Sequence, residues 1–183
     1  MTKVFISGSR RVSHLDSQVK ARLDSIIERQ LLVLVGDANG ADKAVQGHLH
    51  ERGYKNVEVF CVAGACRNNL GGWQIRTVTP AHRKKDLRYF ASKDREMAKE
   101  ANAGLIIWDA KGPGTLVNVL RLVAYKKKVV VYSVRAKRFV EIRKKADLDG
   151  LISECSPEVR LKAEKQLESE KLHTSRERQG SLF

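Results

Sequence analysis

The stretch LLVLVGDANGAD, residues 31–42, decides the fold. Five consecutive apolar residues, Leu31 to Val35, are too few for a helix and suit a strand buried on both faces. Gly36 to Asp42 is a glycine-bracketed turn. From Ala41 to Arg52 apolar residues return at helical spacing until Gly53 ends the helix. A strand, a glycine turn and a helix in direct succession make half of a βαβ unit.

Outward from this stretch the same pattern recurs. Short, nearly all-apolar runs at 3–7, 57–62, 104–108 and 129–134 read as further strands. Val19, Leu23, Ile26 and Ile27 form a helical stripe after Ser13 or Asp16 as cap, and Leu116, Val119, Leu120 and Val123 form another over 115–125. A third helix is expected from Thr79, with Pro80 in its first turn and a stripe through Phe90, Ala91, Met97, Ala98 and Ala101; a break near Ser92 also fits. The expected fold is α/β: a Rossmann-like, doubly wound, mainly parallel five-stranded sheet with a helical C-terminal extension. Residues 1–134 form the main domain and 135–175 a short strand at 138–143 with helices. Residues 176–183 are expected to be a disordered tail.

The 183 residues carry a net charge of +14, with 23 Lys and Arg against 12 Asp and Glu in 1–134, and 12 against 9 in 135–183. A basic main domain attracts polyanions without specifying which. The longest apolar run is far shorter than the roughly 20 residues of a membrane helix, so a cytoplasmic protein without membrane contact is expected. Cys61, Cys66 and Cys155 read as free thiols. His14, His48, His50, His82 and His173 lack paired ligands at metal spacing, and neither a metal nor a cofactor is expected.

In an open parallel sheet the ligand lies beyond the carboxyl ends of the strands, so the loops that follow strands carry the chemistry. Gly8, Ser9 and Arg10 leave the first strand with hydroxyls, amides and a cation suited to phosphate or ribose. Gly36, Asp37, Gly40, Ala41 and Asp42 lead into a helix whose first amides are free to bind an anion. The connection 63–79 reads as a lid, offering Arg67, Asn68, Asn69, Arg76 and Trp73 as a stacking platform, with a basic run from His82 to Lys85 behind it. Gly112, Gly114 and Thr115 open another helix as a second cradle. Each glycine turn also has a plain reading, in which it serves only the bend and Asp42 or Thr115 is only a cap. Asp94 falls on the apolar stripe of the third helix, where a carboxylate needs a partner, a functional role or a new helix to cap. Trp108 reads as core.

Together, Gly8-Ser9-Arg10, the Gly36 to Asp42 turn, Lys93-Asp94-Arg95-Glu96-Met97, Trp108-Asp109 and Gly114-Thr115-x-x-Asn118 resemble the YspA-like (DUF2493-type) branch of the SLOG superfamily over residues 3 to about 134. That superfamily also holds the LOG phosphoribohydrolases and the DNA-processing protein DprA. The resemblance implies a Rossmann-like domain that binds nucleotide-derived ligands, with Gly8, Ser9, Arg10, Gly40, Ala41, Asp42, Gly112, Gly114 and Thr115 around the ligand and Arg95 and Asn118 close by. Asn118 stands where LOG proteins carry a catalytic glutamate, and an amide is no general base. Asp94 either supplies the missing carboxylate or marks a different ligand.

Three functions follow as expectations. The first is binding or sensing of a nucleotide or nucleoside-derived, ADP-ribose-like molecule, with a homo-oligomer open to it. The second is N-glycosidic hydrolysis with Asp94 or Asp42 as catalytic carboxylate. The third is DprA-like single-stranded nucleic-acid binding, against which the sequence has no basic track interleaved with aromatics.

Overall fold

The computed structural model of the chain describes residues 1–63, 66–80 and 87–180, with 87–88 and 171–180 described as backbone only. Strands and helices alternate from the start: β1 Lys3–Gly8, α1 Ser17–Glu28, β2 Leu32–Gly36, α2 Ala41–Glu51 and β3 Val57–Val62. β4 Gln74–Val78, α3 Leu87–Glu100, β5 Ala103–Trp108, α4 Pro113–Ala124 and β6 Lys128–Ser133 follow. β7 Arg138–Ile142, α5 Lys145–Ile152 and α6 Pro157–Gly180 complete the chain. Asp16 rather than Ser13 caps α1, accepting the Gln18 N–H at 2.9 Å.

The elements form one seven-stranded sheet in the order β4-β3-β2-β1-β5-β6-β7, parallel throughout except for the antiparallel β6–β7 pair. Five strands were expected, so two are added, one at each edge. β4 escapes the apolar criterion because QIRTV is a half-exposed edge strand that needs no continuous apolar run. It also converts the C-terminal part of the expected lid, 63–79, into sheet. β7 matches the short strand expected at 138–143.

Alternate side chains of the strands feed two cores, as a period of two requires. Ile6, Val35 and Val59 pack with Val19, Leu23, Val45 and Leu49 of α1 and α2. Phe5, Leu34, Phe60 and Ile106 pack with Met97 of α3, Leu116 of α4, Leu151 of α5 and Ala163 of α6. Helices thus cover both faces, the doubly wound arrangement, and the extension after residue 134 shares the second core. α3 runs unbroken through Ser92, so Asp94 lies inside a helix and caps nothing. α6 continues through 176–180, part of the segment expected to be a tail.

Cys61, at the end of β3, and Cys66 are joined as a disulfide, which corrects the reading of all three cysteines as free. The two Cα atoms lie 5.3 Å apart, within bridging range. Cys155 is free. No helix among the described residues is long and apolar enough to cross a membrane.

Candidate ligand site

The sheet order reverses between β1 and β5, where the connections leave in opposite directions, and a crevice must open beyond their carboxyl ends. A cleft of about 320 Å³ lies there. Its floor is the end of β1 with Ser7, Gly8 and Ser9. One wall is the first turn of α4 with Gly112, Gly114, Thr115 and Asn118, and the opposite wall is α3 with Phe90, Lys93 and Asp94. Arg10, Arg11, Arg67 and Lys111 stand exposed around the mouth.

Close backbone packing makes this edge. A Cβ on Gly8 would lie 2.5 Å from the Ala41 Cβ and 2.6 Å from the Ile107 oxygen, so only glycine lets β1, α2 and β5 meet here. Ser9 ties the loops together: its N–H donates to the Ile107 carbonyl at 2.9 Å and its hydroxyl to Asp109 Oδ1 at 2.8 Å. The same Asp109 oxygen accepts the Lys111 and Gly112 N–H groups at 3.0 and 3.3 Å, and Ala110 turns the chain with φ +61°. α4 begins at Pro113, and the N–H groups of Gly114 and Thr115 have no acceptor among the described residues. A Cβ on Gly114 would meet nothing within 4 Å.

The opposite wall holds a buried charge cluster. Lys93, 4% exposed, donates to Asp94 Oδ1 at 2.9 Å and stands 3.9 Å from both Asp37 and Asp42. Burial works against every one of these charges. For Lys93 the neighbouring Asp94 and Asp42 carboxylates outweigh it and raise the ammonium above its ordinary range. For Asp94, Lys93 and Arg121 outweigh it and hold the carboxyl below the usual range. For Asp42 burial wins over the attraction of Lys93, aided by repulsion from Asp94, and the carboxyl is pushed up to about 6. Two carboxylates of one site are thereby driven apart in acidity, as acid–base chemistry requires.

Of the residues expected at the ligand, Gly8, Ser9, Arg10, Asp42, Arg67, Asp94, Gly112, Gly114, Thr115 and Asn118 line the cleft. Gly36, Asp37, Gly40 and Ala41 support it from behind. A Cβ on Gly36 would fall on Lys93 Nζ and Asp42 Oδ2, so the space that a side chain would take is occupied by the charge cluster. Asp37, 2% exposed, is held by Arg67 through Nη2 at 2.7 Å and Nε at 3.1 Å.

Two more of the expected ligand residues, Trp73 and Arg95, do not line the cleft. Trp73 is 7% exposed, packed in the first core with its indole N–H on the Tyr54 carbonyl at 2.8 Å, so its ring offers no stacking face. The ring lies where a Gly71 Cβ would be, 2.3 Å from Cζ2, and the indole finds both apolar neighbours and an acceptor there. The basic run from His82 to Lys85 lies outside the described residues.

Sequence reasoning passed over Lys93 as a site residue, Phe90 as an aromatic wall, with the Arg67 guanidinium 5.9 Å from its ring, and Gln166 of α6. Lys93 had a signal, a cation beside Asp94 on an otherwise apolar helix face. Gln166 had none. A possible cation site also fails: Asp37, Cys61 and Cys66 bring ligand atoms within 4.8 Å, yet the sulfurs are bonded to each other and Asp37 is engaged by Arg67.

No family model matches the chain, and no curated protein matches it. Among solved structures it is similar to DNA processing protein A (DprA) from Streptococcus pneumoniae, with a TM-score of 0.50 and 19% identity over 71% of this chain. The match spans 50% of that protein. At this identity the likeness concerns the fold, a Rossmann-type α/β sheet.

Proposed function

We propose that the cleft binds a nucleotide or nucleoside-derived ligand, ADP-ribose-like molecules included. The observation that carries the reading is the pairing of two unlike ends in one pocket. Unpartnered amides of the first α4 turn, backed by Lys111 and Arg10, favour an anion. Across from them the ionised Asp94 offers acceptor oxygens suited to sugar hydroxyls, and Phe90 offers a ring face for a base. A ligand with phosphate, hydroxyls and an aromatic ring satisfies all three. Calorimetry with adenosine 5′-monophosphate, guanosine 5′-monophosphate, ADP-ribose and ribose 5-phosphate tests this. Heat is expected from the nucleotides and its loss in Thr115→Val; a panel without heat overturns the reading.

A second reading, N-glycosidic hydrolysis, is favoured by the split acidity of Asp42 and Asp94. Asp94 would stabilise the positive charge that develops on the sugar, and Asp42 would exchange a proton with water or the leaving base near pH 6. Chromatographic release of free base that disappears in Asp94→Asn supports it, and intact nucleotide after prolonged incubation removes it. The similarity in fold to a DNA-processing protein and the four cations at the mouth support single-stranded nucleic-acid binding third. Affinity for an oligonucleotide that falls steeply with salt would move that reading forward.

A further inference from the structure

Over 157–170 α6 is mostly solvated, and the residues by which it meets the second core, the cleft and Arg121 are Ala163, Gln166, Leu167 and Glu170, spaced i, i+3, i+4, i+7. Ala163 is fully buried and Leu167 packs beside it in the second core. The other two are polar, an unusual choice for the seam of a helix. Gln166 reaches the cleft. Glu170, 5% exposed, accepts two hydrogen bonds from Arg121 Nη2 at 2.8 and 2.7 Å, and Arg121 is itself 2% exposed on α4.

The contact does not end at Arg121. Its Nη1 donates to Asn118 Oδ1, and this fixes which way the Asn118 amide faces. The Asn118 Nδ2 then points into the site, donating to Ser7 Oγ at 2.9 Å and to Asp94 Oδ2 at 3.1 Å. Asp94 Oδ1 takes Lys93. An unbroken line of side chains thus runs from the C-terminal helix to the carboxylate in the cleft, and every link is buried or half-buried. A pair needed only to hold α6 in place would be served as well by apolar side chains, because desolvation makes a buried ion pair a weak source of stability.

We propose that α6 is a working wall of the ligand site: Gln166 contacts the bound nucleotide, and Glu170, through Arg121 and Asn118, positions Asp94 beside it. This rests on the nucleotide reading above and adds its regulation. Binding and α6 docking are one linked equilibrium, so the ligand tightens the helix and anything that displaces the helix releases the ligand. Glu170 and Arg121 are positioning residues, whereas Gln166 is a contact residue.

The full-length chain tests this, with adenosine 5′-monophosphate and ADP-ribose as probes. Gln166→Ala, at a half-buried position outside both apolar cores, is expected to keep the thermal midpoint and bind 3- to 10-fold more weakly, by analogy with the loss of one hydrogen bond. Saturating ligand is expected to slow hydrogen exchange of the backbone amides over 158–170. Wild-type affinity in Gln166→Ala together with unchanged exchange in α6 overturns the proposal while leaving nucleotide binding intact. If the wild type binds neither probe, the nucleotide reading and the Gln166 contact fall together. The positioning role is then judged without ligand in Glu170→Gln, where the Asn118 side-chain amide resonances are expected to shift. Unshifted resonances in a folded variant overturn it.

Discussion

Between β2 and α2 the turn from Gly36 to Asp42 is filled by the protein's own groups, while between β5 and α4 the turn from Asp109 to Thr115 opens onto the cleft. Both follow a buried strand, both carry two or more glycines, and both lead into a helix. In the first, the Gly40 Cα faces the Arg10 backbone, the Ala41 N–H is taken by the Ser9 carbonyl at 3.2 Å, and the Asp42 carboxylate sits on its own helix N-terminus, accepting the Ala38 N–H at 3.3 Å. In the second, the turn is braced from behind by one Asp109 oxygen, and its front is free. A glycine after a strand therefore serves either of two ends, admitting the rest of the protein or admitting a ligand. What separates the two is the next acidic residue: a carboxylate inside the helix fills the cradle, and a carboxylate before it braces the cradle open.

The sharpest test of the filled turn is Gly40→Ala. Its φ of +83° already disfavours any side chain, and a Cβ would sit 2.2 Å from the Arg10 carbonyl oxygen, a backbone atom that cannot step aside. Strain and overpacking together are expected to cost about 3 kcal/mol in chemical denaturation. A loss within experimental error would mean that the turn is looser than the geometry says.

Asp42 gives the filled turn a pH signature. Its carboxyl is raised from 3.8 to about 6 by burial, so the folded state binds a proton that the unfolded chain has released. The stability this gives is complete below pH 3.8 and is lost as pH rises towards and past 6. Asp37 and Asp94 are lowered and act with the opposite sign, losing their contribution only as pH falls below 3.8, so the windows do not overlap. Asp42→Asn is expected to flatten the decline between pH 4 and 7, a difference on the order of 3 kcal/mol at most. Parallel curves for variant and wild type would show that Asp42 is ionised at pH 4.

The open turn predicts the reverse of the filled one. Gly114→Ala adds a Cβ into empty cleft at the second position of α4, where alanine favours the helix, so stability is expected to hold or rise by up to about 1 kcal/mol. The added methyl takes the place proposed for the anion, and on that reading nucleotide affinity is expected to fall about tenfold, roughly 1.4 kcal/mol. Equal destabilisation in Gly40→Ala and Gly114→Ala would erase the distinction between the turns.

The sequence made the alternation of strand and helix legible because buried parallel strands leave uninterrupted apolar runs, as in Leu32–Gly36 and Ala103–Trp108. It hid β4 because an edge strand with one solvated face needs no such run. The lining of the cleft was legible where chain direction decides it, at Ser9, Gly112 and Thr115, which follow strands directly. It was illegible where a helix arrives from afar: nothing in the charged run of α6 separates Gln166 and Glu170 from their solvated neighbours. Trp73 misled for the opposite reason, since a loop tryptophan beside two glycines reads as exposed until the fold supplies a core beneath it.

The smallest expected effect concerns the brace. Asp109 Oδ1 accepts from Ser9 Oγ, the Lys111 N–H and the Gly112 N–H, three donors on one oxygen, which suits a charged acceptor. Asp109→Asn keeps an oxygen in place but halves its strength as an acceptor, so a loss of about 1 kcal/mol is expected. The change should be local, because Asp109 is only half-buried and the bonds it makes stay within the turn and Ser9. Faster hydrogen exchange at Lys111 and Gly112, with the amides of Ala38 and Ala41 unchanged, would place the brace in the open turn alone. Exchange that quickens equally in both turns would mean that Ser9, which touches each of them, transmits the loss, and that the filled cradle and the open one are a single unit.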